Sequence, residues 1–229
     1  ANGQPITTTP AVVRHPTETT STSNEPNLMV LFGTGQYLVT GDTTSTDTQS
    51  FYSVWDKGTK ALDRSDLLPQ TLTSSGTARL ITDTAVNYSN TFGCYLDLIG
   101  SGERVVVDPV VRGDLVFFNT AIPSGEVCGS GGSGFQMSID YLNCGQPDEP
   151  VFDYNRDGEI DDGDKINGKP PVGELFEDGL PAAPAILGNY VYTPGTETDG
   201  GDTPIVKRLI QSLPSPNTGR LSWEELLID

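Results

Sequence analysis

The sequence predicts an all-β fold, and three observations carry that prediction. Helical periodicity is nearly absent from the 229 residues. Short apolar runs, rich in β-branched and aromatic residues, alternate with clusters of Gly, Pro, Asn and Asp, and one two-strand unit recurs along the chain. Short strands separated by such turn signals are typical of sandwiches, barrels and propellers. The length suits one sizeable domain or two small ones with a real core.

Eight apolar runs between turn signals are the predicted strands. In chain order they are Leu28–Phe32, Phe51–Trp55, Ala78–Ile81, Cys94–Leu98, Arg104–Val107, Leu115–Asn119, Phe135–Leu142 and Tyr190–Thr193. Two short helices are predicted near the end of the chain, over Thr203–Leu213 and Ser222–Leu227. Ser222 is a suitable N-cap for the second helix, because acidic residues follow in its first turn.

The repeated unit consists of a Pro, a short apolar strand, a Gly-containing turn and a second strand that ends in Thr. Copies begin at Pro10, Pro109 and Pro184, and the first has a longer turn. Each of the first two copies is followed by a third strand that ends in an acidic residue, Asp56 in the first case and Asp140 in the second. Pro is tolerated at the start of a strand, and Gly supplies the positive φ of a tight hairpin turn. Three such strands in succession are typical of a propeller blade.

The repeat therefore predicts the C-terminal part of a modified β-propeller, with quinoprotein-like blades and long insertions, over residues 1–229. A closed propeller needs roughly four to eight blades, so we expect further blades in a larger chain or on another segment. An ordinary β-sandwich with hairpins of similar composition is the alternative. The chain begins at Ala1 without an initiator Met or signal peptide, and we expect a mature or excised portion of a longer protein.

The charge balance excludes several classes of function. With 13 Lys and Arg against 31 Asp and Glu, the formal charge is −18, which disfavours nucleic acid and anionic membranes as partners and favours cations. His15 is the single histidine and Pro16 follows it, which argues against histidine-based catalysis and against zinc or haem. No run approaches the roughly 18 apolar residues of a membrane span.

The three cysteines are Cys94, Cys128 and Cys144. None forms a C-x-x-C motif, so a zinc or thioredoxin-like site is not indicated. An odd number allows at most one internal disulfide. Cys128 and Cys144 bracket one predicted strand and are the favoured pair, with three free buried thiols as the alternative.

Residues 153–164 form the strongest chemical motif, a twelve-residue EF-hand-like calcium loop. Calcium prefers six to eight hard oxygen ligands, and this spacing supplies oxygens at positions 1, 3, 5, 7, 9 and 12. Gly158 stands at position 6, where the chain must turn sharply. The predicted ligands are Asp153, Asn155, Asp157, the backbone carbonyl of Glu159, Asp161 and Asp164.

The surroundings of the loop predict a structural calcium clip within the β domain. Asp164 replaces the Glu of true EF-hands, and its shorter side chain reaches a bidentate position less easily. Pro150 precedes the loop and Lys169-Pro170-Pro171 follows it, so flanking helices are not expected. An acidic surface turn that binds nothing is one alternative. A cellulosomal dockerin is another, but it would need two such loops.

Several segments, in this order, resemble the C-terminal region of the PilY family of type IV pilus assembly and tip-adhesin proteins. The calcium loop is one of them. The others are Gln4–Thr8, Phe32–Leu38, Phe51–Lys57, Gly93–Leu98, Gly102–Val106, Cys128 with Gly131–Gly134, and Gly219–Leu226.

The resemblance implies a modified β-propeller that binds Ca²⁺ at the loop and has no enzymatic activity. It implies a role in pilus extension and retraction and in attachment to surfaces or host cells. The implied partners are the type IV pilus machinery, with its minor pilins, and a host or surface receptor. The implied location is the bacterial cell surface or pilus tip (the fimbrium), after export through the periplasm and outer membrane.

Two other functions compete with this one. A quinoprotein-like propeller enzyme would need a quinone pocket, adjacent cysteines or a basic clamp, and the sequence contains no sign of them; a redox assay for bound quinone separates it from an adhesin. A generic calcium-stabilised secreted adhesin is the other alternative. Arg112-Gly113-Asp114 is an RGD tripeptide of the kind that integrins bind, although it falls on the turn of the second repeat, where turn chemistry alone explains Gly113 and Asp114.

Overall fold

The structure is a computed structural model that describes residues 3–16, 27–58, 61–124, 131–196 and 204–212. Within these ranges the protein is all-β, with three short 3₁₀ turns at Thr40–Thr44, Arg64–Asp66 and Asp162–Asp164. The strands are β1 (Ala11–Arg14), β2 (Leu28–Gly33), β3 (Ser50–Asp56), β4 (Leu68–Gln70), β5 (Leu72–Ser75), β6 (Ala78–Ile81), β7 (Gly93–Asp97), β8 (Val110–Arg112), β9 (Leu115–Pro123), β10 (Gly132–Asp140), β11 (Gly173–Phe176), β12 (Ala185–Leu187), β13 (Tyr190–Pro194) and β14 (Ile205–Leu209).

The strands form three sheets. The first has the order β1-β2-β3-β7-β4, in which only the β4–β7 pair is parallel. The second has the order β5-β6-β11-β10-β9-β8 and is antiparallel throughout. The third is the antiparallel meander β12-β13-β14. The all-β prediction is thus confirmed.

The repeated unit folds as a three-stranded antiparallel meander in all three copies: β1-β2-β3, β8-β9-β10 and β12-β13-β14. In the second and third copies the hairpin turns begin at Gly113 and Gly188, and both have a φ of +60°. The predicted third strands of the first two copies are confirmed, since β3 ends at Asp56 and β10 at Asp140.

The third copy also has a third strand, where a helix was predicted over Thr203–Leu213. That prediction is wrong, because Ile205–Leu209 pairs with β13 in register from Tyr190↔Leu209 to Pro194↔Ile205. The free edge of β13 offers backbone hydrogen bonds that a short isolated helix cannot match. The helix predicted over Ser222–Leu227 lies outside the described residues.

The remaining differences concern short segments. The run Arg104–Val107 is not a strand: Arg104 forms an isolated bridge to Ala121, and the Val105 amide donates to the Thr34 carbonyl at 2.9 Å. Strands β4, β5 and β11 were not predicted, because each has three or four residues and too few alternations to give a pattern.

The main core lies between the first two sheets. Strand β2 points Met29 and Leu31 inward, and the ring of Phe51 stacks on Phe118 with centroids 4.0 Å apart. A second cluster joins the second sheet to the third, and both clusters use β9. Its buried members are Leu115, Phe117, Val151, Phe152, Val191 and Ile210.

A disulfide joins Cys94 on β7 to Cys144, which follows β10, with the two Cα atoms 5.8 Å apart. The predicted Cys128–Cys144 pair is therefore wrong, and so is the alternative of three free thiols. Cys128 lies outside the described residues. The two sheets pack against each other and bring together cysteines 50 positions apart, a proximity that sequence spacing does not predict.

Candidate metal centre

The candidate calcium loop starts against the edge strand of the third sheet. Phe152 bridges to Ile210, and the Asp153 amide donates to the Leu209 carbonyl at 3.3 Å. The loop is followed by a tight turn closed by hydrogen bonds between Ile166 and Lys169. One end of the loop is thus attached to β14, and the chain after that turn continues to β11.

Within the loop, the side chains at positions 3, 5 and 9 hold the backbone in successive turns. Asn155 Oδ1 accepts from the Asp157 amide at 2.9 Å, and Asp157 Oδ1 accepts from the Glu159 amide at 2.9 Å. Asp161 Oδ1 accepts in the same way from the Gly163 amide at 2.7 Å. Side chains that bond their own backbone two residues on are a property of Asn and Asp.

The sharp curvature of the loop needs left-handed backbone at two positions. Gly158 has a φ of +93°, as its place at position 6 predicts, and Arg156 has a φ of +63°. Left-handed backbone at a non-glycine residue is costly and persists only where the surroundings impose it. The surroundings here include the hydrogen bonds of the loop and the ion pair of Arg156 with Glu174.

Asp164, at position 12, closes the loop. Its carboxylate is fully buried and accepts from the amides of Tyr154 at 2.7 Å, Asn155 at 3.0 Å and Asp161 at 3.1 Å. Three backbone donors suit an ionised carboxylate. The last acid of the loop therefore ties the end of the loop to its beginning.

Asp153, at position 1, is the side chain best suited to a cation. Its Oδ2 accepts from the Gly158 amide at 3.0 Å, whereas its Oδ1 is buried and has no hydrogen-bond partner in the part of the chain that the structure describes. A buried carboxylate oxygen without a partner is expensive. An ion at this point would remove that cost, so the residue fits the cation that the spacing predicts.

The predicted ligand residues lie together in one loop, with their oxygens turned mainly to backbone amides. Among the described residues, no three His, Cys, Asp or Glu side chains are arranged as a metal-binding group. Calcium at this loop therefore stays a prediction, and binding would require these carboxylates to turn towards the ion.

Sequence reasoning missed an ion network that connects the loop to two sheets. Glu174 on β11 accepts from the guanidinium of Arg156 in the loop and from Arg208 Nε on β14 at 3.1 Å. Burial raises the pKa of Glu174, and the two arginines act in the opposite direction. The partners are 18 and 34 positions from Glu174, so no local pattern could have revealed the network.

The RGD tripeptide lies where the repeat placed it, at the turn between β8 and β9. Gly113 supplies the left-handed φ of the turn and Asp114 is exposed. Arg112 donates to the carbonyl of Gly188, in the equivalent turn of the third sheet. The arginine thus links two neighbouring hairpins, which is a structural role.

The chain matches known pilus proteins over most of its length. A homologue of the type IV pilus biogenesis factor PilY1 from Xylella fastidiosa is 30% identical over an aligned length of 216 residues, and the match covers 87% of this chain and 16% of that protein. PilY1 of Pseudomonas aeruginosa is 29% identical over 187 residues, covering 69% of this chain and 16% of that protein. The chain is a homologue of PilY1. No family model matches it.

The fold agrees with this relationship. The crystal structure of the Pseudomonas aeruginosa PilY1 C-terminal domain matches with a TM-score of 0.67 and 23% identity, over 91% of this chain and 45% of that one. The resemblance to PilY proteins is thus confirmed. The chain spans less than half of the solved PilY1 domain and about a sixth of the curated relatives. In the parts described, no helix has the length and hydropathy of a membrane span.

Proposed function

We propose that the chain acts in type IV pilus biogenesis, in the extension and retraction of pili, and in attachment to a surface or host cell, as a non-enzymatic calcium-binding module. Its similarity to PilY1 proteins over 87% of its length carries the proposal. The partners are the pilus machinery, including minor pilins, and a receptor on a surface or host. The place of action is the bacterial surface or pilus tip.

The β domain serves as a portion of a modified propeller. Three meanders of the same connectivity support this proposal, because repeated antiparallel units are the building blocks of propellers. Completion of the ring then requires strands that lie elsewhere in the full-length protein. In this proposal residues 1–229 are the C-terminal portion of the propeller domain, and the loop 153–164 is an insertion in it.

The loop binds one Ca²⁺ through the side chains at positions 1, 3, 5, 9 and 12 and the carbonyl at position 7. The ligand spacing and the left-handed residues at positions 4 and 6 support this proposal, as does Asp153 Oδ1, which is buried without a hydrogen-bond partner in the ranges that the structure describes. The ligands are Asp153, Asn155, Asp157, Glu159, Asp161 and Asp164.

Calcium would stabilise the fold at the boundary between two sheets. It removes the repulsion among closely spaced carboxylates and satisfies the buried Asp153 oxygen. The residue before Asp153 bridges to Ile210 beside β14, and Arg156 pairs with Glu174 on β11. The ion therefore strengthens a loop that contacts both neighbouring strands.

A calorimetric titration tests the metal site, with Asp157→Ala as the ligand variant and Asp162→Ala as its matched control. Asp162 stands in the same loop at position 10, and its side chain is 89% exposed. We expect wild type and Asp162→Ala to release similar heat on binding calcium, and Asp157→Ala to release none. The Kd of the first two proteins should be near the micromolar range, which corresponds to a binding free energy of about 8 kcal/mol. Equal heats from all three proteins would exclude the assignment.

The pilus role is tested in the bacterium that encodes the full-length protein. Deletion of the gene should reduce surface pili and attachment, and the wild-type gene should restore both. Restoration by Asp162→Ala but not by Asp157→Ala would connect the role to the metal. Normal piliation and attachment in the deletion strain would contradict the proposed function.

A further inference from the structure

A cavity of about 310 Å³ opens between the calcium loop and the edge strand β14. Asp153 and Arg156 line it from the loop, Tyr190 from β13, and Lys207 and Arg208 from β14. The cavity is therefore built from the two segments that the Glu174 network connects.

The cavity concentrates positive charge in an acidic molecule. The whole chain has only 13 basic residues against 31 acidic ones, yet three basic side chains line this one space. Arg156 and Arg208 share a single carboxylate, Glu174, whose side chain is 7% exposed. One buried carboxylate cannot neutralise two guanidinium groups, so positive charge is left over.

Lys207 adds a further cation, and its ammonium group contacts an aromatic ring. Its Nζ lies 3.7 Å from the centroid of the Tyr190 ring, and the residue is exposed on β14. A cation–π contact orients the ammonium without cancelling its charge. The negative group that remains at the cavity is Asp153, a proposed calcium ligand.

We infer that this cavity binds an oxyanion, a carboxylate or sulfate group, and binds it more tightly when calcium occupies the loop. Arginine presents planar, paired donors that match such groups, and lysine adds a point charge. Calcium neutralises the charge of Asp153 and so removes the repulsion between this carboxylate and an anion in the cavity. The calcium dependence rests on the proposed function, whereas the basic lining does not. The group can belong to an acidic sugar or to a free inorganic ion.

The test is an NMR titration of the calcium-loaded chain, at constant ionic strength, with sodium galacturonate, galactose and sodium sulfate. We expect galacturonate and sulfate to shift the amide signals of β14, and galactose to shift none. A response to sulfate alone would assign the cavity to a free oxyanion, and a response to both would extend it to acidic sugars. If neither anion shifts β14, the inference is wrong.

Lys207→Met is the most specific variant, because it removes one positive charge from the cavity and leaves the ion pairs of Arg156 and Arg208 with Glu174 in place. Lys57→Met is the matched control, since Lys57 Nζ lies 3.6 Å from the centroid of the Trp55 ring, in the first sheet. We expect Lys207→Met to weaken anion binding at least tenfold and Lys57→Met to leave it unchanged. Equal loss in both variants would show only a general charge effect and overturn the site.

Asp157→Ala separates this inference from the proposed function. We expect it to weaken anion binding at least threefold, and chelator to do the same to wild type. If calcium binds calorimetrically but no anion does, the anion site is wrong and the metal site stands. If anions bind equally well with and without calcium and Lys207→Met abolishes their binding, the cavity stands and its dependence on calcium is wrong.

Discussion

Single aspartates in this acidic chain have different roles that depend on their surroundings. Asp164 is buried among three amide donors, whereas one oxygen of Asp153 has no hydrogen-bond partner among the described residues. Asp140, at the end of β10, accepts from the Leu142 amide at 2.6 Å but is largely desolvated. Burial raises the pKa of Asp140 to about 6, and the nearby charges of Asp114 and Asp83 add to the shift.

The raised pKa of Asp140 predicts how the stability of the protein depends on pH. Between about pH 4 and 6 the folded state holds a proton that the unfolded state has lost, so this group lowers the free energy of unfolding as pH rises through that window. Asp140→Asn keeps the acceptor for Leu142 and removes the charge. We expect the variant to be more stable than wild type by on the order of 2 kcal/mol at pH 7.5 and nearly equal at pH 4.

Urea unfolding at the two pH values measures this difference. Asp56→Asn is a suitable control, because Asp56 is an exposed acid at the end of the equivalent strand β3. A stability gain for Asp140→Asn that is the same at both pH values would contradict a role for titration.

Among the elements, the hairpins depend on glycines for two separate reasons. At Gly134 on β10 a Cβ would lie 1.9 Å from the Thr120 carbonyl oxygen on β9, so any side chain would push the two strands apart. At Gly188 nothing lies within 4 Å of an added Cβ, and the requirement is the left-handed φ of +60°. The first glycine serves packing and the second serves turn conformation.

Replacing each of these two glycines with Ala should lower the free energy of unfolding by a different amount. We expect Gly134→Ala to lower the free energy of unfolding by about 3 kcal/mol, because overpacking disturbs the β9–β10 pair of the second sheet. Gly188→Ala should cost only about 1 kcal/mol, the cost of left-handed backbone for a residue with a Cβ. Chemical denaturation of the two variants checks this order, and equal costs would contradict the packing argument.

In the whole molecule, the third sheet is less firmly attached than the other two. The first and second sheets share the main core and the Cys94–Cys144 disulfide. The third joins them through the smaller cluster around Phe152, the Glu174 network, the hydrogen bonds Arg112–Gly188 and Gln136–Thr193, and the start of the candidate calcium loop. Its stability should therefore depend most on the ion that we propose for that loop.

Because we propose calcium at the loop 153–164, we expect its removal to loosen the third sheet selectively. We expect chelator to speed amide hydrogen exchange in β13 and β14 at least tenfold more than in β2 and β3, because local openings follow local stability. Hydrogen-exchange mass spectrometry with and without chelator measures this, and Asp157→Ala should exchange like the chelated protein. Uniform loss of protection in all three sheets would contradict the local role.

The sequence predicted the features that depend on neighbouring residues. The hairpins of the second and third copies followed from Pro, alternation and Gly turns close together in the sequence, the first copy followed from its similar strands, and the all-β class followed from the same signals. The loop 153–164 was placed by its spacing, and its left-handed Gly158 is in the expected position.

What the sequence by itself determined is therefore the class of fold, the three hairpins and the left-handed turn at Gly158, since short-range turn chemistry and alternation decide them. Only the tertiary structure decided that Ile205–Leu209 is a strand, that Cys94 pairs with Cys144, and that Arg156, Glu174 and Arg208 meet. Each of these depends on which sheet edges and faces come together, and the energy of such long-range contacts leaves no local pattern in the chain.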